Sequence, residues 1–225
     1  MRYYPIFVNL DKKACLVIGA GEVGRRKIQS LIDSGAGHVT IIDTQPAPAE
    51  MSMTLELDNV DFFCREFLDS DLDGKFLVIA CTSSENVNLR ISQLCDERGI
   101  LCNIADLPEA CSFIVPATVK RGDLTLAIST AGQSPAMTKR IRRELQDYFG
   151  DEYAVLLTVM GRIRPLMLEL GLETKKNTAV FRALVNSDLL SAIKEQKLDV
   201  CREILKDSLP QPLHANISEL LDGLV

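Results

Sequence analysis

The chain has 225 residues, enough for one or two domains with a real core. Its 47% hydrophobic and 25% charged residues are the balance of a soluble globular protein. A net charge of -6 gives no general affinity for nucleic acid, and no apolar run approaches the length of a membrane span. MRYYPIFVNL, at the N-terminus, has neither a long apolar region nor a small-residue cleavage site, so no signal peptide is expected and the cytoplasm is the expected location.

In chain order, Tyr4–Leu10 reads as a short edge strand with Pro5 near its start. Leu16-Val17-Ile18 then runs into Gly19-Ala20-Gly21-Glu22-Val23-Gly24, which matches G-x-G-x-x-G, and a helical pattern follows from Arg25. Gly35-Ala36-Gly37 ends that helix, and the β-like run His38-Val39-Thr40-Ile41-Ile42 closes on Asp43. The acid falls about 20 residues past the glycines, where a carboxylate can bond ribose hydroxyls and disfavour a 2′-phosphate. Residues 15–43 are therefore expected to form a βαβ unit holding NAD. Gly19 would make the tight turn, Gly21 would admit the pyrophosphate, and Gly24 would let helix pack on strand. A methyltransferase can use a similar loop, and a plain strand-turn-helix with incidental glycines is the bland alternative.

Pro46 and Pro48 mark a loop, and Met51–Leu57 reads as a short helix. Val60–Phe67 is a candidate third strand, Asp69–Gly74 an acidic loop, and Phe76–Cys81 a strand buried on both faces. Thr82-Ser83-Ser84 can cap a helix with Val87, Ile91, Leu94 and Cys95 inward, ended by Gly99, before the strand Ile100–Ile104. Alternating strands and helices give an α/β, Rossmann-like, doubly wound parallel sheet over residues 1–112.

The pattern then changes. Ser112–Lys120 and Leu124–Thr130 flank Arg121-Gly122-Asp123 as a hairpin. Ser134 and Pro135 start a helix whose apolar stripe is Met137, Ile141 and Leu145. This hairpin and helix, residues 113–150, suit a dimerisation element. From Asp151 onward only helical patterns occur: Tyr153–Leu170, Thr178–Asn186, Leu189–Lys194, Val200–Leu209 and Ile217–Leu224. Residues 151–225 thus form a small helical domain.

The seven cysteines (Cys15, Cys64, Cys81, Cys95, Cys102, Cys111 and Cys201) are odd in number and contain no C-x-x-C pair. A disulfide framework is not expected, and with only His38 and His214 neither is a metal site. Scarce histidine leaves proton transfer to a carboxylate or water. Ligands of such a sheet lie beyond the carboxyl ends of its strands. Thr82, Asn103 and Asp106 fall at those ends. Asp106 could orient a substrate or take a proton there, or merely cap a turn. Lys139-Arg140-Ile141-Arg142-Arg143 puts four cations in the first turns of a helix, against its dipole. That suggests an acidic ligand or a facing subunit; a solvated helix face is the alternative.

Several stretches resemble the dehydrogenase module of siroheme synthase, the precorrin-2 dehydrogenase/sirohydrochlorin ferrochelatase family. They are Pro5-Ile6-Phe7-Val8, GAGEVGRRK at 19–27, Leu77–Thr82 with Val87-Asn88, Asn103-Ile104-Ala105-Asp106, Ser112–Ala117, Arg121–Leu124 and Ala127–Pro135. They keep the family's order over about residues 3–149.

The resemblance implies NAD-dependent oxidation of precorrin-2 to sirohydrochlorin by a homodimer, with metal insertion into sirohydrochlorin in some members. The family's catalytic aspartate falls on Asp106. Its nucleotide contacts fall on Gly19, Gly21, Glu22, Val23 and Gly24, and on Asp43 and Thr44; Thr82 and Asn103 complete the expected cofactor set. The substrate's carboxylates would fall to Lys139, Arg140 and Arg143, beside Ser129 and Thr130. Several members have glycine where this chain has Ala131 and serine where it has Thr130, so a modification assigned to that serine does not transfer. Some members carry a C-terminal methyltransferase domain; in a sequence of 225 residues none is expected. The competing reading from another class is a non-catalytic NAD-sensing module.

Overall fold

The computed structural model describes residues 3–105 and 107–224; the expected catalytic residue, Asp106, lies outside the described residues. The chain divides into two compact units, Met1–Val115 and Pro116–Val225.

The first unit runs β1 (Ala14–Ile18), α1 (Glu22–Ile32), β2 (His38–Asp43), α2 (Ser52–Leu55), β3 (Val60–Cys64), β4 (Leu77–Ala80), α3 (Glu85–Glu97) and β5 (Leu101–Ile104). The strands make one parallel five-stranded sheet in the order β3-β2-β1-β4-β5. The direction of strand succession reverses between β1 and β4, which makes their carboxyl ends the binding crevice of the architecture.

Both faces of the sheet are covered, which is why β1 and β4 read as unbroken apolar runs and the interior of β2 is broken only by Thr40. Cys15, Val17, Val39, Ile41 and Ile79 pack with Ile28 and Leu31 of α1 on one face. On the other, Leu16, Ile18, Ile42 and Val78 pack with Ile91 and Cys95 of α3. Each large side chain buried this way contributes roughly 1.5–3 kcal/mol. α3 stops because Gly99 adopts φ 67°. The Gly99 N–H donates to Asp96 O and the Ile100 N–H to Cys95 O, a Schellman ending.

Three expectations change in this unit. Tyr4–Leu10 forms no strand: Leu10 alone is buried, while Tyr4 is 87% and Phe7 75% exposed. The third strand stops at Cys64. The acidic stretch is a 3-10 turn, Asp69–Leu72, held by arginines rather than a free loop. Arg65 forks onto both Asp71 oxygens at 2.6 and 2.8 Å, Arg90 Nη2 donates to Asp69 at 2.7 Å, and Arg98 Nη1 donates to Asp73 at 2.8 Å.

The second unit begins with a hairpin, β6 (Ala117–Arg121) and β7 (Leu124–Ile128), paired antiparallel around Gly122-Asp123. Gly122 has φ +55°, and a Cβ there would stand 3.0 Å from the Ala154 Cβ. The first strand starts later than expected because Ser112 is bonded to β5: its N–H donates to Cys102 O at 2.9 Å.

Helix α4 (Pro135–Tyr148) starts as predicted, with the Ser134 hydroxyl accepting from the Met137 N–H and Pro135 in the first turn. Its inward stripe is Thr138, Ile141 and Leu145; Met137, expected there, is 48% exposed. The remaining helices are α5 (Glu152–Glu169), α6 (Thr174–Asn186), α7 (Leu189–Lys194), α8 (Leu198–Ser208) and α9 (Ile217–Leu220). They enclose a core of Val159, Ile163, Met167, Leu184, Leu189 and Leu205.

Candidate dinucleotide site

The glycine loop joins β1 to α1 and is shaped by three different demands. Gly19 has φ +96°, and a Cβ there would sit 2.6 Å from the Cys81 carbonyl oxygen. Only glycine lets this loop pass the end of β4. A Cβ on Gly24 would sit 1.9 Å from the Gly19 oxygen, so this glycine sets the closeness of helix to loop. Gly21 differs: a Cβ there would meet nothing within 4 Å. Its φ of −64° and ψ of −174° are open to any residue, and no side chain caps α1. Nothing among the described residues of the first unit requires a bare backbone at Gly21. A diphosphate approaching the N–H groups of Glu22, Val23 and Gly24 does, since the first N–H groups of a helix lack intrahelical partners and carry its positive dipole end. The loop therefore fits a dinucleotide.

Asp43 ends β2 and is tied to this loop. The Ala20 N–H donates to its Oδ2 at 2.6 Å, and the Gln45 N–H donates to its Oδ1 at 2.8 Å. The Gly19 N–H donates to Ile42 O at 2.8 Å. The carboxylate is thus held beside the glycine turn while it accepts from Gln45 at the start of the next loop. Thr44 follows it, and its carbonyl receives the Cys64 thiol at 3.8 Å.

Thr82 stands at the end of β4, where its backbone N would lie 3.1 Å from a Cβ on Gly19. Its hydroxyl reaches Asn88 Oδ1 at 2.7 Å and accepts from the Ser84 N–H at 3.2 Å, while Asn88 Nδ2 donates to Thr82 O at 3.0 Å. Asn88 is buried. It is a determinant of the crevice that the sequence reading did not single out beyond its place in the family stretch. Asn103 is also buried, and its amide donates to Phe113 O at 3.0 Å and Cys111 Sγ at 3.5 Å. Its donors hold the returning chain against β5.

The structure thus brings Gly19–Gly24, Asp43, Thr44 and Thr82 together at the carboxyl ends of β1, β2 and β4, with Asn103 one strand further along. The other candidates belong to the second unit. Ser129 accepts from the Ala131 N–H at 3.0 Å, and Thr130 accepts from the Ser134 N–H at 3.2 Å and meets the Thr138 hydroxyl at 3.0 Å. Ala131 has φ 51° and Gly132 φ 81°, and the Gln133 N–H closes the turn on Thr130 O at 2.9 Å. Two successive left-handed residues are the signature of a type I′ turn, and alanine is strained at the first.

On α4, Arg140 pairs with Glu144 at 2.7 Å. Lys139 and Arg143, one turn apart and exposed, pair with no acid among the described residues. Lys139 is the fifth residue of a helix that starts at Pro135, beyond the first turn where the dipole acts, so the expected dipole penalty is slight. Arg142 is half-buried and its Nε has no partner among the described residues.

A five-stranded parallel sheet with this loop and acid at its switch point defines a dinucleotide-binding protein of the Rossmann type. Residues 6–117 match the family model described as NAD(P)-binding, and residues 121–148 match "Sirohaem biosynthesis protein central". The siroheme synthase of Thioalkalivibrio sulfidiphilus is 31% identical over 209 residues, covering 93% of this chain and 42% of that protein. Siroheme synthase 1 of Aeromonas salmonicida is 34% identical over 164 residues, covering 73% and 35%. This chain therefore spans less than half the length of these curated relatives. The solved structure "SirC, precorrin-2 dehydrogenase" superposes with a TM-score of 0.76 at 23% identity, covering 92% of this chain and 98% of that one, and it shares the fold. The chain belongs to the family of the siroheme synthase N-terminal module.

Proposed function

We propose that the chain is an NAD-dependent dehydrogenase that oxidises precorrin-2 to sirohydrochlorin. The observation that carries the reading is Gly21, a bare backbone facing open space at an uncapped helix start, in a chain whose relatives are siroheme synthases. A dinucleotide bound there supplies the two-electron acceptor. The chain's own residues do the rest. Gly21 and the N–H groups of 22–24 receive the diphosphate, and Asp43 receives the ribose hydroxyls while braced by Ala20. Thr44 and Thr82 line the groove, and Asn103 holds the wall behind it. Asp106 takes the proton that leaves the macrocycle. The macrocycle's carboxylates are met by Lys139, Arg140 and Arg143, beside the hydroxyls of Ser129 and Thr130.

Residues 113–150 serve as the dimerisation element between two copies of the chain. Support comes from α4, which has no fully buried residue of its own, and from the two free edges of the two-stranded hairpin. No helix among the described residues is long and apolar enough to cross a membrane, and the reading places the protein in the cytoplasm.

The test is anaerobic turnover of precorrin-2 with NAD⁺ and NADP⁺ in parallel, read as reduced-nucleotide absorbance. NAD⁺ should be preferred, Asp106→Asn should slow turnover, and Asp43→Asn should narrow the preference over NADP⁺. Tight NAD⁺ binding without turnover would instead make the chain a sensor module. A parallel arm with Fe²⁺ or Co²⁺ and sirohydrochlorin, without nucleotide, decides whether metal insertion accompanies the oxidation.

A further inference from the structure

β5 is an edge strand: among the described residues it pairs only with β4. The N–H groups of Leu101 and Ala105 turn toward β4, donating to Phe76 O and Ala80 O. Those of Cys102 and Ile104 therefore face the open edge. An open edge is normally completed by another strand or covered. Here it is completed largely by two side chains. The Cys102 N–H donates to the Ser112 hydroxyl at 2.8 Å, and the Ser112 N–H donates back to Cys102 O at 2.9 Å. One step along, the Ile104 N–H points at Cys111 Sγ at 3.1 Å.

The sulfur of Cys111 gathers more than that one bond. Asn103 Nδ2 approaches it at 3.5 Å, and the carbonyl oxygens of Ile104 and Leu107 lie at 3.4 and 3.3 Å. A neutral thiol has one hydrogen to donate and lone pairs to accept with. Two N–H groups meet its lone pairs and two carbonyls share its hydrogen, so its capacity is matched. One atom thus binds the last residue of β5 and the middle of the loop that follows. The far end is held separately: the Ser92 hydroxyl of α3 donates to Ala110 O at 2.6 Å, and the Ala110 N–H donates to Leu107 O at 3.1 Å. The segment between these anchors carries Asp106 in its sequence.

We propose that Cys111 is a positioning residue for Asp106, its thiol tying together Ile104 and Leu107, described residues on either side of it in sequence. The proposal rests on the reading of Asp106 as the proton acceptor. Serine keeps a donor and an acceptor at this place, but its shorter bond and smaller atom reach the same four partners less well; alanine keeps none. A misplacement of about 1 Å in a reacting group, even when a substitution remote from the chemistry causes it, costs up to roughly a hundredfold in rate. Cys111→Ala should therefore lower kcat by roughly tenfold to a hundredfold. KM and the dissociation constant for NAD⁺ should hold, because the glycine loop is untouched. Cys111→Ser should recover most of the lost rate.

The deciding experiment is a double-mutant cycle with Asp106→Glu, whose carboxylate is already displaced by one methylene. If Cys111 acts through Asp106, adding Cys111→Ala in that background costs far less than in the wild type. An equal factor in both backgrounds overturns the proposal, as does a Cys111→Ala enzyme with full kcat. Should Cys111→Ala fail to fold, Cys111→Ser carries the same cycle with the same criteria. Asp106→Asn separates the two failures. If it keeps full rate, the functional reading falls and the positioning role with it. If it is slow while Cys111→Ala is fast, only the positioning role falls.

Discussion

Replacing Gly21 with alanine should separate the fold from the function. The added Cβ meets nothing within 4 Å, and the backbone angles of −64° and −174° suit alanine. Removing glycine's unfolded-state freedom stabilises by about 0.4–1 kcal/mol. Alanine is the poorer helix N-cap, which costs a comparable amount. The two effects offset, so the unfolding free energy should stay within about 1 kcal/mol of wild type. NAD⁺ binding should be lost, because the methyl group fills the space that a diphosphate needs at the helix start. Gly24→Ala is the internal contrast. Its Cβ would stand 1.9 Å from the Gly19 oxygen and 2.9 Å from the Gly19 carbonyl carbon, both backbone atoms. Helix and loop must separate, at an overpacking cost of about 1–3 kcal/mol, only partly returned by removing a helical glycine. Denaturant unfolding followed by circular dichroism gives the stabilities, and calorimetric titration with NAD⁺ gives the affinities. A Gly21→Ala protein that is stable and binds NAD⁺ like wild type would refute the placement of the diphosphate. One that unfolds would refute the reading of the space as open.

Two further outcomes follow from the geometry. Ala131→Gly should stabilise the protein by about 0.5–1 kcal/mol, since relief of a left-handed alanine at φ 51° exceeds glycine's entropic cost; unchanged denaturant midpoints would count against the strain. The Arg65 guanidinium hydrogen-bonded to Asp71 holds this carboxyl, 10% exposed, below the usual carboxylate range. A depressed folded-state pKa contributes stability above the unfolded value and loses it as pH falls through the folded value, so this contribution fades only below about pH 4. Asp71→Asn should cost stability at neutral pH and show less acid sensitivity than wild type; parallel pH–stability curves would contradict the pairing.

Much of the first unit was legible because its signals are local. A strand buried on both faces must be continuously apolar, a G-x-G-x-x-G turn must sit between strand and helix, and Ser134-Pro135 can start a helix wherever it lies. Signals of that kind led to the parallel sheet, the hairpin and the basic helix. The misreadings share one cause. Tyr4–Leu10 has strand composition, but it joins neither edge of the sheet, β3 or β5, and β1, the strand that follows it, already pairs on both sides with β2 and β4. Met137 lies on a plausible apolar stripe, yet the helix rolls so that Thr138 faces inward, toward the Thr130 hydroxyl.

By itself the sequence determined the class of fold, the cofactor loop and the family, because periodicity, glycine spacing and motif order need no knowledge of distant contacts. The tertiary structure alone decided which glycines the chain's own packing requires, Gly19 and Gly24, and which it leaves facing open space, Gly21. It also showed that Asp43 braces the turn through Ala20, and that three aspartates of an apparent acidic loop are paired with Arg65, Arg90 and Arg98. Finally, it revealed a cysteine completing an open sheet edge next to the segment of Asp106. Each of these depends on which atoms a residue meets across the fold, and no spacing along the chain encodes that.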